Sequence, residues 1–501
     1  MNREGIRVGT AVSMLVRKPG THATLGKVLF REFWGTEKRQ ELKATLSASS
    51  LNDGYTSLAP SSENRFQLRP GAAVADYASW AAIPELAAVS PLPGLLEKRG
   101  GTLFDFDRKA LEHRMQIYLD PDQSMEAVRS VAPGLATKMD LKDPETMRNR
   151  ALHLKGERFE ASRLVRFGIR PFDSGWAYIV GAPGIWNRNR PELQHVLPDA
   201  HGFFCTRVQN VSKPEGFPAY WVETLYHDRF IDEHGYGIPA VENLSGSPRP
   251  NLSARAVDWL KTLGLDADLE TAQAVWRHVL AITYSPAWCS ENAGGIRQGW
   301  VRVPLPSKAE ILLASAALGQ QLSDLLNPEK PVIGITSGTL RPELAAIATP
   351  SVVEGTKTDW RVTAGWGNRS EKGVVMPSRG RLDTRAYTAT ESEAQKKATF
   401  FGEQTHDVWI NAQTYWRNVP DSVWEFHIGG YQLLKKWLSY REEAVLGRAI
   451  TLEEVRHFTE TARRLAALRL LGPAFDANFH ACAACHSPLS AQNEPADVAS
   501  V

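Results

Sequence analysis

Between Val423 and Glu442 the sequence VWEFHIGGYQLLKKWLSYRE changes its hydrophobic period from two to nearly four. Trp424, Phe426 and Ile428 alternate as strand residues do, Gly429-Gly430 offers a reversal, and Tyr431, Leu434 and Leu438 fall on one helical face. A chain that needs both periods inside so short a stretch is neither all-helical nor all-strand. The expectation is an α+β fold in several pieces. Lys435, Lys436 and Arg441 fall on or near the polar side of that helix, which makes the segment first a structural strand-to-helix lock and second a grip for an anionic partner.

The same two periods recur along the chain. Leu111, Met115, Tyr118 and Leu119 share a helical face, as do Ala272, Val275, Trp276, Val279 and Leu280. SKAE at Ser307–Glu310 has the form of a capping box opening a helix that carries Ile311, Leu318, Leu322 and Leu325. Thr451–Glu454 has the same form before Val455, Phe458, Ala462 and Leu465. RPFDSGWAYIV and GFFCTRV read as strands in the middle of the chain, and GTAVSMLVRK and GKVLFREFW as two adjacent strands near its start. The Gly-, Arg- and Trp-rich stretch DWRVTAGWGNRSEKGVVMPSRGRLDTRAYTAT reads as twisted hairpins with long loops. No internal repeat is found.

Size and charge narrow the function classes. With 501 residues, 43% of them apolar, the chain can bury large cores and is expected to form several domains. Lys+Arg 58 against Asp+Glu 56 leaves a net charge of +2, so any nucleic-acid surface must be local. MNREGIRVGTAVSMLVRKPG has too short an apolar run to span a bilayer; no signal peptide or membrane partner is read, and a cytoplasmic location is expected. Walker, Gly-x-Ser-x-Gly, Gly-x-Gly-x-x-Gly and His-Glu-x-x-His motifs do not occur, which leaves no catalytic residue and no metal ligand to name.

Four cysteines do not make a disulfide framework, and Cys205 and Cys289 read as buried thiols. FHACAACH sets Cys482, Cys485 and His486 in the C-x-x-C-H order of haem attachment, and with His480 it offers four N/S ligands for zinc. Haem attachment needs export, and zinc sites usually draw ligands from separated segments. The reading adopted is a solvated, disordered tail over 476–501 that happens to carry cysteines.

The local basic signal lies between Arg148 and Asn210. RNRALHLKGERFEASRLVRFGIR contains Arg163, Arg166 and Arg170; WNRNR places Trp186 beside Asn187, Arg188, Asn189 and Arg190; TRVQN adds Arg207, Gln209 and Asn210. Arg, Asn and Gln make bidentate contacts to guanine and adenine edges, and an indole offers a stacking surface. Two readings stand: a solvated loop with surface arginines, or a DNA contact surface that also takes in Lys435 and Lys436.

The blocks IRPFDSGWAYI, RPNLSARAVDWL, VWRHVLAITYSPAW, WVRVPLPSKAEILLASAALGQQLSDLL and VWINAQTYWRNVPDSVWEFHIGGYQLLKKWLSYR occur in the order seen in type ISP restriction-modification enzymes, and the chain resembles their C-terminal region. That resemblance implies methyltransferase-like terminal strands over 1–50, a connector and helical spacer over 51–135, and a target-recognition domain over 136–475. It further implies double-stranded DNA as partner and sequence-specific recognition as function, within a restriction-modification or phage-defence system. The family's Gly-rich cofactor loop and Asn-Pro-Pro-Tyr/Phe motif are not present; the one Asn-Pro, Asn327-Pro328, is followed by Glu329. No cofactor is therefore expected in this chain. The alternative is half of a split N6-adenine methyltransferase, reaching S-adenosylmethionine only through a partner methyltransferase or nuclease-helicase chain.

Overall fold

The computed structural model describes residues 75–136, 156–180, 185–196, 202–208, 216–231, 235–242, 247–297, 299–370, 375–391 and 401–489, and before them only 13–14, 28–31, 33, 38–47, 54–58 and 68. Val28–Phe30 pairs antiparallel with Thr56–Leu58, so one of the two expected early strands is present; the other falls largely outside the described residues.

The fold is α+β, as the mixed periods require. Among the described residues three four-stranded sheets organise it. The first runs Leu225–Tyr226, Leu164–Arg170, Asp173–Tyr178, Phe104–Asp105, and the second Leu92–Pro93, Gly235–Pro239, Phe203–Arg207, Ala219–Val222. They share a chain segment: just past Pro93, Leu95 donates to the Tyr226 carbonyl at 2.9 Å and Leu96 exchanges backbone bonds with Arg188 at 3.0 Å. The third sheet, Thr349–Val352, Thr414–Pro420, Gln404–Trp409, Arg381–Ala386, is antiparallel throughout.

Six helices carry most of the remaining core: α1 Arg108–Leu119, α2 Leu269–Thr283, α3 Ala309–Leu326, α4 Leu433–Arg441, α5 Leu452–Leu470 and α6 Gly472–Ala484. The expected apolar stripes of α1, α2 and α5 are all buried. Where α2 and α3 cross, Gly319 lets the backbones touch; a Cβ there would lie 2.0 Å from the Arg277 carbonyl oxygen. One continuous buried cluster reaches from Tyr77 to Leu489, so the helical segment around Leu111 and Met115 shares its core with Phe167, Trp276 and Phe458. Among the described residues no helix is long and apolar enough to cross a membrane.

Two local expectations change. The capping box at Thr451–Glu454 forms, with both reciprocal bonds. The one at Ser307–Glu310 does not: the Ser307 amide donates to the Cys485 carbonyl at 2.8 Å, and the helix starts one residue later, with Lys308 as an N-cap that makes no side-chain bond. The partner in that bond is the second correction. Residues 476–489 are an ordered, docked segment: α6 buries Phe475, Phe479 and Cys482, and Ser487 donates to the Leu305 carbonyl at 2.7 Å. The physical reason is spacing, since those three apolar residues recur at i, i+4 and i+7. Residues 490–501 lie outside the described residues.

Candidate nucleic-acid interface

The first sheet places the expected arginines. Arg166 faces Trp176 across the ladder, its guanidinium 5.0 Å from the ring centroid, and Arg108 lies 5.4 Å from the same ring. The Nε of Arg166 donates to Glu329 at 2.8 Å, and Arg163 donates to Glu157 at 2.7 Å and to Glu160 at 2.8 Å. Both arginines are partly exposed but carry carboxylate partners that a phosphate would have to displace. Arg170 is turned inward, donating to the Ile169 carbonyl, with its guanidinium 5.2 Å from the Tyr431 ring and beside His227.

Lys436 is likewise not on the polar face. Its Nζ donates to the Val375 carbonyl at 3.2 Å and lies 4.7 Å from the Tyr440 ring; burial, then Arg170, pushes its amine down to about 7. Arg441, also expected near that face, is buried in a bidentate pair with Asp173, both bonds 2.8 Å. Lys435, next door, is partly exposed and makes no hydrogen bond or ion pair among the described residues.

Trp186 is no stacking platform in this conformation. It is 3% exposed, its indole donates to the Tyr178 carbonyl at 3.0 Å, and its ring packs on Phe167. Arg207 ends a strand buried along its whole length and is 4% exposed, because neighbouring strands lie on both of its edges. Arg190 is partly buried with φ 47, and Asn187 and Asn189 are partly exposed. Arg188 alone of this group is exposed with no hydrogen bond or ion pair through its side chain. Gln209 and Asn210 lie outside the described residues, as does the run from 137 to 155.

The Arg-rich hairpin region supplies further cations, which form no basic run in the sequence. Arg369, Arg379 and Arg381 are exposed around the antiparallel ribbon Gly367–Arg369/Val375–Pro377, and Arg381 lies over Trp409 at 3.9 Å. Their signal was present in the Gly/Arg/Trp composition, but their spacing in sequence hid that a sheet edge and a ribbon bring them together.

No group of three or more His, Cys, Asp or Glu among the described residues could hold a metal. Cys482 is fully buried, its thiol pushed up to about 12 by burial, while the Cys485 thiol donates to the Ala481 carbonyl. The parallel pairing between named strands among the described residues is that of Leu225–Tyr226 with Leu164–Arg170.

Comparison with known proteins agrees with this architecture. Among solved structures the chain is similar to a nuclease-deletion mutant of the Type ISP restriction-modification enzyme LlaGI in complex with a DNA substrate mimic, at 12% identity and TM-score 0.50, over 90% of this chain and 32% of that one. It is similar to the ATP-dependent Type ISP enzyme LlaBIII bound to DNA, at 13% identity and TM-score 0.53, over 89% and 26%. A DrdV–DNA complex matches at 14% identity and TM-score 0.51, over 88% and 42%. The chain thus spans less than half the length of each, and the likeness is one of fold. No curated protein matches. A family model described as the Type ISP C-terminal specificity domain matches residues 91–468. With that match running through all three large sheets and most of the helical core, the chain belongs to the Type ISP C-terminal specificity domain family.

Proposed function

We propose that this protein recognises double-stranded DNA in a sequence-specific manner, as the specificity portion of a type ISP-like restriction-modification system in the cytoplasm. The observation that carries the reading is the specificity-domain match over residues 91–468. Cations without acidic partners, the exposed Arg188 and Arg379 and the partly exposed Lys435, support it by offering sites for phosphates, and Arg163 and Arg166 can join them by exchanging carboxylate for phosphate. The test is selection of bound duplexes from a random pool, followed by fluorescence anisotropy on the enriched duplex and a scrambled one. Enrichment of a defined sequence, bound at least tenfold more tightly than the scramble, is the expected result. Failure to enrich any sequence would overturn sequence-specific reading by this chain.

A second reading keeps the same DNA surface and adds a partner. The fold likeness covers 90% of the chain, more than the specificity-domain match spans, so some of the shared fold lies outside that domain. On this reading S-adenosylmethionine is bound by a separate methyltransferase half, and this chain alone transfers no methyl group. Methylation of DNA by the purified chain would refute that division.

A further inference from the structure

The ribbon Gly367–Arg369/Val375–Pro377 has two unlike faces. Gly367 pairs with Pro377, Asn368 with Met376, and Arg369 with Val375. On one face Val375 is buried, Arg369 donates to the Val445 carbonyl at 3.0 Å, and Gly367 lies so close to α4 that a Cβ would sit 2.1 Å from the Ser439 oxygen. On the other, Asn368 and the directly opposed Met376 are exposed, Met376 at 56%. A strand pair alternates its faces, so the packing that locks the first face presents the second.

Hydrogen bonds from α4 and from the following residues hold the ribbon and its base. Lys436 donates to the Val375 carbonyl at 3.2 Å, and the Glu442 carboxylate accepts from Gly365 at 3.1 Å and Trp366 at 2.8 Å. The buried Trp366 ring donates to the Trp409 carbonyl at 2.6 Å. Ser378 donates to the Trp366 carbonyl at 2.7 Å and Gly380 to that of Gly365 at 3.0 Å, closing the base. Arg379 and Arg381 flank that base, opposed nearby by Asp383. This is a two-stranded element packed on one face, with a cationic rim and an amide beside a thioether on its outer face.

We infer that this ribbon enters the major groove of duplex DNA and that Asn368 and Met376 together read one A·T pair. The inference rests on the DNA reading proposed above and assigns its recognition element. The major groove admits a two-stranded ribbon; an Asn amide matches adenine N6 and N7 there, and the thymine methyl of the same pair asks for an apolar neighbour. Asn368 supplies the first group and Met376 the second, and Arg379 and Arg381 supply charge for the flanking phosphates. The neighbouring cations favour a polyanion over an apolar protein partner.

The test starts from the duplex enriched by the unmutated chain. At each A·T pair in turn, 7-deazaadenine removes the N7 acceptor or deoxyuridine removes the thymine methyl, and anisotropy is read for the unmutated chain, Asn368→Ala and Met376→Ala. One A·T pair is expected at which the first replacement weakens the unmutated chain on the order of tenfold but not Asn368→Ala, and the second weakens it severalfold but not Met376→Ala. Both side chains are exposed, so unchanged melting temperatures are expected and serve as the folding control. If the unmutated chain selects a duplex but neither variant couples to any base pair, the ribbon is not the reader and the inference fails alone. If the unmutated chain selects none, the DNA reading fails and the ribbon assignment falls with it.

Discussion

Lys435 and Lys436 are indistinguishable as sequence and opposite in the fold. The difference is made by Val375, 61 residues away, whose carbonyl draws one amine into the interior. Burial lowers the Lys436 pKa from 10.5 to about 7, with Arg170 adding repulsion and Asp173 opposing it. Between those values the unfolded chain holds a proton that the folded chain has released. This group's contribution to stability therefore rises with pH through that window, and its penalty is complete below it. Lys436→Met removes the titration, so its stability relative to the unmutated chain should be higher at pH 6 than at pH 9 in urea denaturation at both values; a relative stability that improves toward pH 9 would contradict the assignment. Asp173 and Arg441 make a harsher case. Each is almost wholly buried in a bidentate pair, so Asp173→Ala should cost about 3–5 kcal/mol by leaving a buried guanidinium with only the longer contact to Glu454, 3.5 Å from its Nε. The double replacement with Arg441→Met should restore part of that loss in the same denaturation experiment. No periodicity reveals such a pair, because its members lie 268 residues apart.

At the scale of elements, the long amphipathic helices were legible and the short polar connections were not. The stripes of α2 and α5 announce themselves because Ala272, Val275, Trp276, Val279 and Leu280, and Val455, Phe458, Ala462 and Leu465, recur at helical spacing, although burial in both helices extends beyond those stripes. At the end of the chain the cysteines and the polar flank mask a helical face of Phe475, Phe479 and Cys482, which is what docks the segment. The consequence is a pair of contrasting variants. Cys482→Ser puts a hydroxyl into a fully buried position and should lower stability by about 1–3 kcal/mol, whereas Cys485→Ser, partly exposed, should change it little. Thermal melts of the two single variants check this, and equal melting temperatures would mean that α6 is not docked as described. Removing the Phe479 ring, which meets Trp80 edge-on at 5.8 Å, should cost more, about 3–5 kcal/mol. The ribbon lies between these extremes. Its Gly and Arg content pointed to hairpins, but which face turned outward depended on α4, whose packing against Val375 and Gly367 no local pattern encodes.

For the whole molecule, the near-zero net charge excludes a global field but not a directional one. What matters is how many cations are already neutralised. Arg163 meets Glu157 and Glu160, Arg166 meets Glu329, and Arg385 meets Glu391 and Asp407, so much of the basic content is spent within the fold. Within the sequence run Arg148–Arg170, Arg163 and Arg166 are therefore less available than their sequence density suggests, whereas Arg188 stays unpaired as its place in WNRNR allows and Arg379, outside any basic run, is a cation that sequence density understates, because counting charges along a chain ignores which acids fold back onto them. Counterion release turns that distinction into a measurement. Each phosphate contact contributes about −0.9 to the slope of log K against log salt on duplex DNA. An unpaired arginine that meets a phosphate releases a counterion outright, whereas a paired one first gives up its carboxylate, which then recruits a cation of its own. Arg188→Gln and Arg379→Gln, tested on a scrambled duplex so that base reading does not contribute, should each flatten the slope by about 0.9. Arg163→Gln and Arg166→Gln should flatten it by distinctly less. Anisotropy titrations across a fourfold range of salt resolve the difference. Equal slopes for all four variants and the unmutated chain would place the DNA on a face that none of these residues lines, and a larger effect at Arg163 or Arg166 would mean that their ion pairs open on binding and that DNA contacts the first sheet directly.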